Sequence, residues 1–247
     1  MNIFFEELSL NAWPALQTKL YDGWLLRFAN GYTKRSNSIS PLYPSWLPLD
    51  EKIRNCEFEY QKQKMVVTFK LTEDQLELDH ELANRNYSRL DETSVRALKM
   101  QDYQNNRPLG IVTEDILSDS WFQDWINCST IQTPKLQQAA HNILQNINGD
   151  RIGVRKKVNG ETVGCGFGVI EREHMGLFDI VVSKDYRSKG YGRDIVNGIL
   201  CAAISRKVKV AYLSVVVGNT HAENLYQSIG FQEIYRYWYR QKKFSRR

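Results

Sequence analysis

The sequence has few cysteines and no cysteine motif. Its 247 residues include Cys56, Cys128, Cys165 and Cys201, which lie far apart in the chain. Since no C-x-x-C pair and no cysteine–histidine ligand spacing occurs, we predict no metal site. Scattered thiols of this kind are typical of buried, reduced cysteines, so a cytoplasmic protein is expected.

Long hydrophobic runs are also missing, and neither charge sign dominates. No stretch approaches the roughly 20 apolar residues that span a bilayer, and residues 1–7 contain no basic start of the kind found in signal peptides. We therefore expect no membrane association. The net charge of +5 favours an anionic ligand without naming one. No nucleic-acid-binding signature accompanies this charge, so a nucleic-acid partner is not expected.

One segment carries most of the information, namely Arg187-Ser188-Lys189-Gly190-Tyr191-Gly192. An apolar, β-branched run precedes it at 177–182, and apolar residues at helical spacing follow it at 195–204. A glycine loop between a strand and a helix presents unpaired amides and the positive end of the helix dipole to an anion. Positive charge at Arg187, Lys189 and Arg193 supports a phosphate or pyrophosphate site, although a tight strand–helix turn would need the same glycines.

A second segment follows at the expected distance, Asn219-Thr220-His221-Ala222-Glu223-Asn224-Leu225-Tyr226-Gln227-Ser228-Ile229-Gly230-Phe231. Together with Val182 to Gly192, it closely resembles the GCN5-related N-acetyltransferase (GNAT) superfamily over residues 110–240. The stretch Gly23 to Tyr32 resembles the degenerate N-terminal half of a bacterial two-domain group of these enzymes.

The resemblance implies a fold and a division of the chain. The implied fold class is α/β (α+β), with two tandem GNAT-like domains, each a mixed, mostly antiparallel sheet flanked by helices. We expect a degenerate domain over 1–100, a polar linker at 101–110 and a catalytic domain over 111–247. A weak internal repeat agrees with this division, because strand–helix–strand patterns at 65–99 and 210–239 match.

Local signals predict the individual elements. Helices are expected at 4–12, 50–63, 74–85, 114–126, 134–147 and 220–229, and a further helix follows the glycine loop, with its apolar residues between 195 and 204. Strands are expected at 22–29, 32–40, 65–71, 88–100, 151–158, 162–171, 174–182, 208–217 and 231–239. The dipeptides Asn30-Gly31 and Asn159-Gly160 predict hairpin turns, and Thr72 with Gln75 predicts a capping box.

By resemblance, the ligand is acetyl-coenzyme A. The amides of Arg187, Ser188, Lys189, Gly190, Tyr191, Gly192 and Arg193 would hold its pyrophosphate. Backbone groups of Val181 and Val182 would pair with the pantetheine arm, Asn219 would bind the same arm, and Tyr226 would protonate the departing thiolate. Each residue also has a structural interpretation: Val181 and Val182 as core, Asn219 as a helix N-cap and Tyr226 as a core aromatic.

The general base is less defined. Several members of the superfamily use a glutamate earlier on the strand that ends at Val182, but Gly176 occupies that position here. Asp179 is the candidate base on this strand; a water relay, no dedicated base, or a structural role for Asp179 are the alternatives.

The first half lacks the matching chemistry. Leu82 stands where Tyr226 stands in the second half, Gln75 stands where Asn219 stands, and a proline-rich loop at 41–48 replaces the glycine loop. Since proline has no amide donor, we predict that this half neither binds coenzyme A nor catalyses. It is expected to pack on the catalytic half and shape an acceptor cleft. Candidate lining residues are Trp24, Arg27, Tyr32, Lys34, Arg35, Tyr43 and Trp46, and a scaffold role for the aromatic ones is the alternative.

The resemblance therefore implies an acetyl-coenzyme A-dependent N-acetyltransferase. The acceptor would be a primary amine of a small molecule, which would attack acetyl-coenzyme A directly in a ternary complex. The protein would be a monomer or homodimer. The alternatives are a protein or peptide N-acetyltransferase, and a binding or sensing module that keeps the loop without turnover.

Overall fold

The computed structural model describes residues 2–131 and 133–243, and this part of the chain forms one continuous mixed sheet flanked by helices. The strands are β1 Gln17–Tyr21, β2 Trp24–Phe28, β3 Ile39–Pro41, β4 Val67–Thr72, β5 Ser88–Lys99, β6 Ile111–Glu114, β7 Asp150–Val158, β8 Glu161–Glu171, β9 His174–Val182, β10 Val210–Val216 and β11 Gln232–Lys242. The helices are α1 Asn2–Ala12, α2 Leu49–Lys62, α3 Leu76–Asn84, α4 Asp119–Cys128, α5 Pro134–Gln145, α6 Tyr191–Ser205 and α7 Thr220–Ile229.

The sheet order is β1-β2-β3-β4-β11-β5-β10-β9-β8-β7-β6. Two pairs, β3–β4 and β9–β10, are parallel, and the others are antiparallel. The predicted mixed, mostly antiparallel fold is therefore confirmed, with the sheets of the two halves joined into one.

The halves exchange a strand at their junction. The last strand, β11, pairs with β4 of the first half on one side and with β5 on the other. In return, β5 of the first half pairs with β10 of the second half. The units β4-α3-β5 and β10-α7-β11 are the predicted repeat, and each gives its final strand to the other half.

Two local predictions are wrong. Asn30-Gly31 does not join the strands of a hairpin: the turn lies at Asp22-Gly23, between β1 and β2. Asn30 and Gly31 do adopt left-handed geometry (φ 54° and 77°), but Asn37 Oδ1 accepts the amides of Ala29 and Gly31. These bonds turn the chain into a loop, and β3 is limited to Ile39–Pro41.

The helix predicted at 114–126 begins later than expected. Ile111–Glu114 instead pairs with β7 as β6, and Ser118 caps α4 by accepting from the Trp121 amide at 3.1 Å. The Asn159-Gly160 turn and the Thr72–Gln75 capping box are confirmed.

Helix α1 packs the two halves together. Trp13, just after α1, is stacked on Phe167 and Phe178 of the second half, with ring centroids 6.0 and 6.4 Å away. Buried Glu6 accepts from Lys70 on β4 at 2.7 and 2.8 Å and from the Tyr235 hydroxyl on β11 at 2.8 Å. This helix therefore ties the exchanged strand to both halves.

Candidate active site

Strands β9 and β10 separate where the candidate site begins. They pair at Val210↔His174, Ala211↔Met175 and Tyr212↔Gly176, and beyond these residues β9 pairs, among the described strands, with β8 alone. The Ser183 amide donates to Val163 at 2.9 Å. In an antiparallel pair, the backbone N–H and C=O groups of alternate residues point to opposite sides of the strand. The backbone groups of Val181 therefore point to Cys165 on β8, and those of Val182 point into the gap.

A β-bulge shapes the same strand. The pairing shifts between Cys165↔Val181 and Phe167↔Phe178, so that Asp179 and Ile180 oppose Gly166 alone. Asp179 has φ 45°, an uncommon conformation for a residue other than glycine. Bulges redirect side chains and are common beside functional sites, and this one redirects the strand at the opening of the gap.

The start of α6 leaves a row of amides without partners. Gly190 is the N-cap at φ 82°, and Ser188 also has a positive φ of 60°. Within the described residues, the amides of Ser188 to Gly192 have no hydrogen-bond partner. A Cβ on Gly192 would lie 3.6 Å from Leu225, an ordinary contact, so protein packing does not require glycine there. Unpaired amides at a helix start form an anion site.

These amides open into a groove of about 890 Å³ between β9, α6 and α7. Of the predicted ligand-binding residues, Val181, Val182, Arg187, Ser188, Gly190, Tyr191, Gly192, Arg193 and Asn219 line the groove. Lys189 is not among the lining residues, and its ammonium donates to the Asp185 carbonyl at 3.1 Å. Arg187 donates to Val182 O at 3.1 Å, and Arg193 donates to Ser228 Oγ at 2.6 Å.

Asn219 combines two of its predicted features. Its side-chain oxygen caps α7 by accepting from the Ala222 amide at 3.3 Å, and the residue lines the groove. Its side-chain nitrogen has no partner within the described residues, so this donor is available to a ligand.

Tyr226 stands at the inner end of the groove. Its ring packs edge-on to Phe231, with centroids 6.1 Å apart, and its hydroxyl has no hydrogen-bond partner among the described residues. Burial raises the pKa of this hydroxyl to about 12. The group is therefore fully protonated at neutral pH and can donate a proton.

A second space, here called the inner cavity, begins where the groove ends. It has a volume of about 460 Å³ and shares Ile180 and Tyr226 with the groove. Asp179 lines it, and Asp179 Oδ1 accepts from Arg35 Nη2 at 2.8 Å. This contact raises the pKa of Arg35, although burial acts against the shift. The two predicted catalytic residues thus line one cavity, with Asp179 in an ion pair.

The first half contributes part of that cavity. Three of the seven candidates, Arg27, Lys34 and Arg35, line it, whereas Trp24, Tyr32, Tyr43 and Trp46 do not. Tyr237 and Tyr239 also line it, although the sequence did not indicate them. Alternating tyrosines in β11 predict one buried face, but only the strand exchange brings that face to the cavity.

In the first half, the loop at 41–48 before α2 corresponds to the glycine loop before α6, and its amides bind a carboxylate of the protein itself. Asp22 accepts from the Trp46 and Leu47 amides at 3.0 Å and pairs with buried Lys52 at 3.1 Å. Although burial opposes the change, the Leu47 and Trp46 amides hold the pKa of Asp22 below its usual value. Pro48 precedes α2 and supplies no amide. The Asp22 carboxylate therefore occupies the anion site at the start of α2, whereas the equivalent site at the start of α6 has free amides.

Two further observations concern the described residues as a whole. Within 2–131 and 133–243, no helix is both long and apolar enough to cross a membrane. Over the same ranges, no group of three or more His, Cys, Asp or Glu side chains could hold a metal ion.

Comparisons with known proteins identify relatives in sequence and in fold. "Uncharacterized N-acetyltransferase YobR" of Bacillus subtilis (strain 168) is 26% identical over 247 residues, covering 96% of this chain and 97% of that protein. A solved "GCN5-related N-acetyltransferase from Kribbella flavida" has a TM-score of 0.70 at 11% identity, covering 98% and 96% of the two chains. A solved "Tandem GNAT protein from the clavulanic acid biosynthesis pathway" has a TM-score of 0.64 at 12% identity, covering 100% and 89%. The two structures show the fold.

Fold and relatives together define an N-acetyltransferase of the GNAT type. A family model described as "Probable histone acetyltransferase Rv0428c C-terminal" matches residues 4–240, and the chain belongs to this family. The resemblance inferred from the two motifs is thereby confirmed.

Proposed function

We propose that this enzyme transfers the acetyl group of acetyl-coenzyme A to a primary amine of a small molecule, by direct attack in a ternary complex. The observation that carries the proposal is the junction of the groove and the inner cavity at Ile180 and Tyr226. Two substrates entering from opposite sides would meet beside a protonated tyrosine.

The groove fits coenzyme A in its charges and its hydrogen-bonding groups. The free amides of Ser188 to Gly192 would hold the pyrophosphate, with Arg187 and Arg193 nearby to balance its charge. Val182, whose polar groups face the gap beyond the β9–β10 pairing, would bind the pantetheine arm as a neighbouring strand does. The free Asn219 amide nitrogen would donate to the same arm.

Tyr226 would supply the proton that the reaction requires. When the amine nitrogen bonds to the thioester carbonyl carbon, the C–S bond breaks and the sulfur takes the tyrosine proton. The Val182 amide, which faces the gap, is our candidate donor to the carbonyl oxygen as it becomes negative. The nitrogen must lose a proton, either to Asp179 or to water; the ion pair with Arg35 leaves one Asp179 oxygen for this role.

Three attributes complete the proposal. The first half, with Asp22 in its anion loop, would scaffold the site without binding coenzyme A. The chain would consist of two related domains, 1–100 and 111–247, joined by a linker at 101–110. Each domain gives its final strand to the sheet of the other. Four free cysteines fit a cytoplasmic protein that acts as a monomer or homodimer.

The test combines binding with turnover. Calorimetry should detect one acetyl-coenzyme A per chain, and an amine panel should elicit free thiol. Tyr226→Phe should bind acetyl-coenzyme A as the wild type does but release thiol about a hundredfold more slowly, because it lacks the acidic proton. Binding by both proteins without amine-dependent release would favour a sensing module. No binding by the folded wild type would refute the proposal.

A further inference from the structure

The inner cavity carries both charge signs on its walls. Among the residues that the structure describes, four cationic side chains line it, Arg27, Lys34, Arg35 and Lys70, against two carboxylates, Asp91 and Asp179. Arg27 is buried and donates to the carbonyls of Leu10, Trp13 and Arg35, and Lys70 is held by Glu6. The charges that remain to meet a ligand are the pairs Arg35–Asp179 and Lys34–Asp91.

The Arg35–Asp179 pair is incomplete on both sides. A single contact joins Arg35 Nη2 to Asp179 Oδ1 at 2.8 Å. Within the described residues, Arg35 Nε and Nη1 and Asp179 Oδ2 have no hydrogen-bond partner. The side chains are 31% and 17% exposed, so a molecule in the cavity can reach both groups. In a bidentate ion pair, a second guanidinium nitrogen and Asp179 Oδ2 would bond to each other; here these atoms remain free to bind a ligand.

Both members of the pair are fixed in place by their surroundings. The Arg35 guanidinium lies 4.4 Å from the centre of the Trp13 ring, and the main-chain oxygen of Arg35 accepts from buried Arg27 at 2.7 Å. Asp179 is set by the bulge in β9. The protein therefore presents a preorganised positive and negative group side by side, each with free hydrogen-bonding capacity.

From this arrangement we infer that the amine acceptor is a zwitterion with adjacent ammonium and carboxylate groups, in the manner of a free α-amino acid. Resting on the proposed function, the assignment directs the ammonium to Asp179 Oδ2 and the carboxylate to the free Arg35 donors. Every charge then keeps an opposite neighbour, which is the condition for burying charges at low cost.

Other amine classes match the cavity less well. A polyamine would bring several positive charges against Arg35 and Lys34, and like charges at close range oppose binding. A peptide N-terminus offers the ammonium but carries a neutral amide where Arg35 requires an anion. Phe178, Tyr237 and Tyr239 provide aromatic wall for an amino acid side chain.

The experiment measures acetyl-coenzyme A-dependent thiol release with three matched sets of acceptors. These are the twenty L-amino acids, their carboxamides, and amines without a carboxylate, including phenethylamine and spermidine. We expect at least one amino acid to exceed its own carboxamide in kcat/KM by about tenfold to a hundredfold, the range for a lost charge-assisted hydrogen bond.

Variants then assign that preference to Arg35. Arg35→Gln should reduce the acid-to-amide ratio to near one, and Arg35→Lys should restore part of it, because a cation remains without the fork geometry. Arg172→Gln is the matched control: Arg172 pairs with Glu7 and Glu171 outside the inner cavity, and its loss should leave the ratio unchanged. The ratio compares two substrates on one protein, so a general loss of folded enzyme does not alter it.

Three results would overturn the inference. They are a preference for carboxamides or simple amines, an acid-to-amide ratio that Arg35→Gln leaves intact, and acetyl-coenzyme A binding with no turnover of any amino acid. In each case calorimetry still reports on the groove. Failure of this assignment alone leaves another amine as an accepted substrate, whereas failure of the proposed function gives either no acetyl-coenzyme A binding or no amine-dependent thiol release.

Discussion

A tyrosine serves as an acid only while it keeps its proton, and its surroundings decide over what pH range it does so. An exposed tyrosine has a pKa near 10, whereas burial of the Tyr226 hydroxyl raises its pKa to about 12. The neutral, proton-bearing form is present below the pKa and lost above it. The upward shift would therefore extend, on the alkaline side, the pH range over which Tyr226 can act as the proposed acid.

A pH profile tests this residue directly. With acceptor and acetyl-coenzyme A saturating, kcat should not decline between about pH 8 and pH 10.5, since an acid of pKa about 12 stays protonated there. Circular dichroism at each pH would verify that the protein remains folded. A falling limb centred near pH 10, in a folded sample, would show that the acid has an unshifted pKa or is another group.

At the scale of elements, α2 and α6 have the same position in the repeat, but the backbone amides at their starts differ in whether they already bind an anion. The start of α6 has free amides from Ser188 to Gly192. The loop before α2 gives the amides of Trp46 and Leu47 to Asp22, and Pro48 contributes none. A helix start attracts an anion in both cases, but the first half provides that anion itself.

The α6 start can be tested with a pair of glycine variants. Gly190 and Gly160 both have positive φ, 82° and 87°, and open space where a Cβ would be. Alanine at either position should cost about 1–2 kcal/mol of stability, because the left-handed conformation disfavours a Cβ. Only Gly190→Ala should also weaken acetyl-coenzyme A binding, by about tenfold, since relaxing the strain turns its neighbouring amides away.

Gly160 is the control because it lies in the β7–β8 turn, outside the groove. Urea titration gives the stability of each variant and calorimetry gives the Kd. Equal loss of binding in both variants would mean that affinity follows general stability and not the geometry of the loop.

On the scale of the whole molecule, the exchanged strands make the halves mutually dependent. The sheet of the first half is completed by β11, the final strand, and that of the second half by β5. Buried Glu6 joins α1 to β4 through Lys70 and to β11 through Tyr235. Because neither half has a complete sheet of its own strands, we expect one cooperative unfolding transition.

Glu6→Gln should destabilise the whole protein by about 3–5 kcal/mol, since it leaves buried Lys70 without a counter-charge. Glu173→Gln removes an exposed pair with Lys209 and should cost less than about 1 kcal/mol. Urea unfolding followed by fluorescence and circular dichroism measures both. Two separate transitions, or equal costs for the two variants, would contradict this account of the junction.

The sequence by itself determined the features that depend on neighbouring residues. The loop at 187–192 and the helix that carries Tyr226 follow from glycine geometry and helical spacing, and the repeat appears in Asn86 and Gly230, which both end helices at positive φ. The tertiary structure decided which strands pair and what lines the inner cavity. Both β5 and β11 can pair with the strands of either half, because the backbone N–H and C=O groups that join strands do not depend on the side chains. The meeting of Arg35 with Asp179, 144 residues apart, therefore depends on packing between the halves.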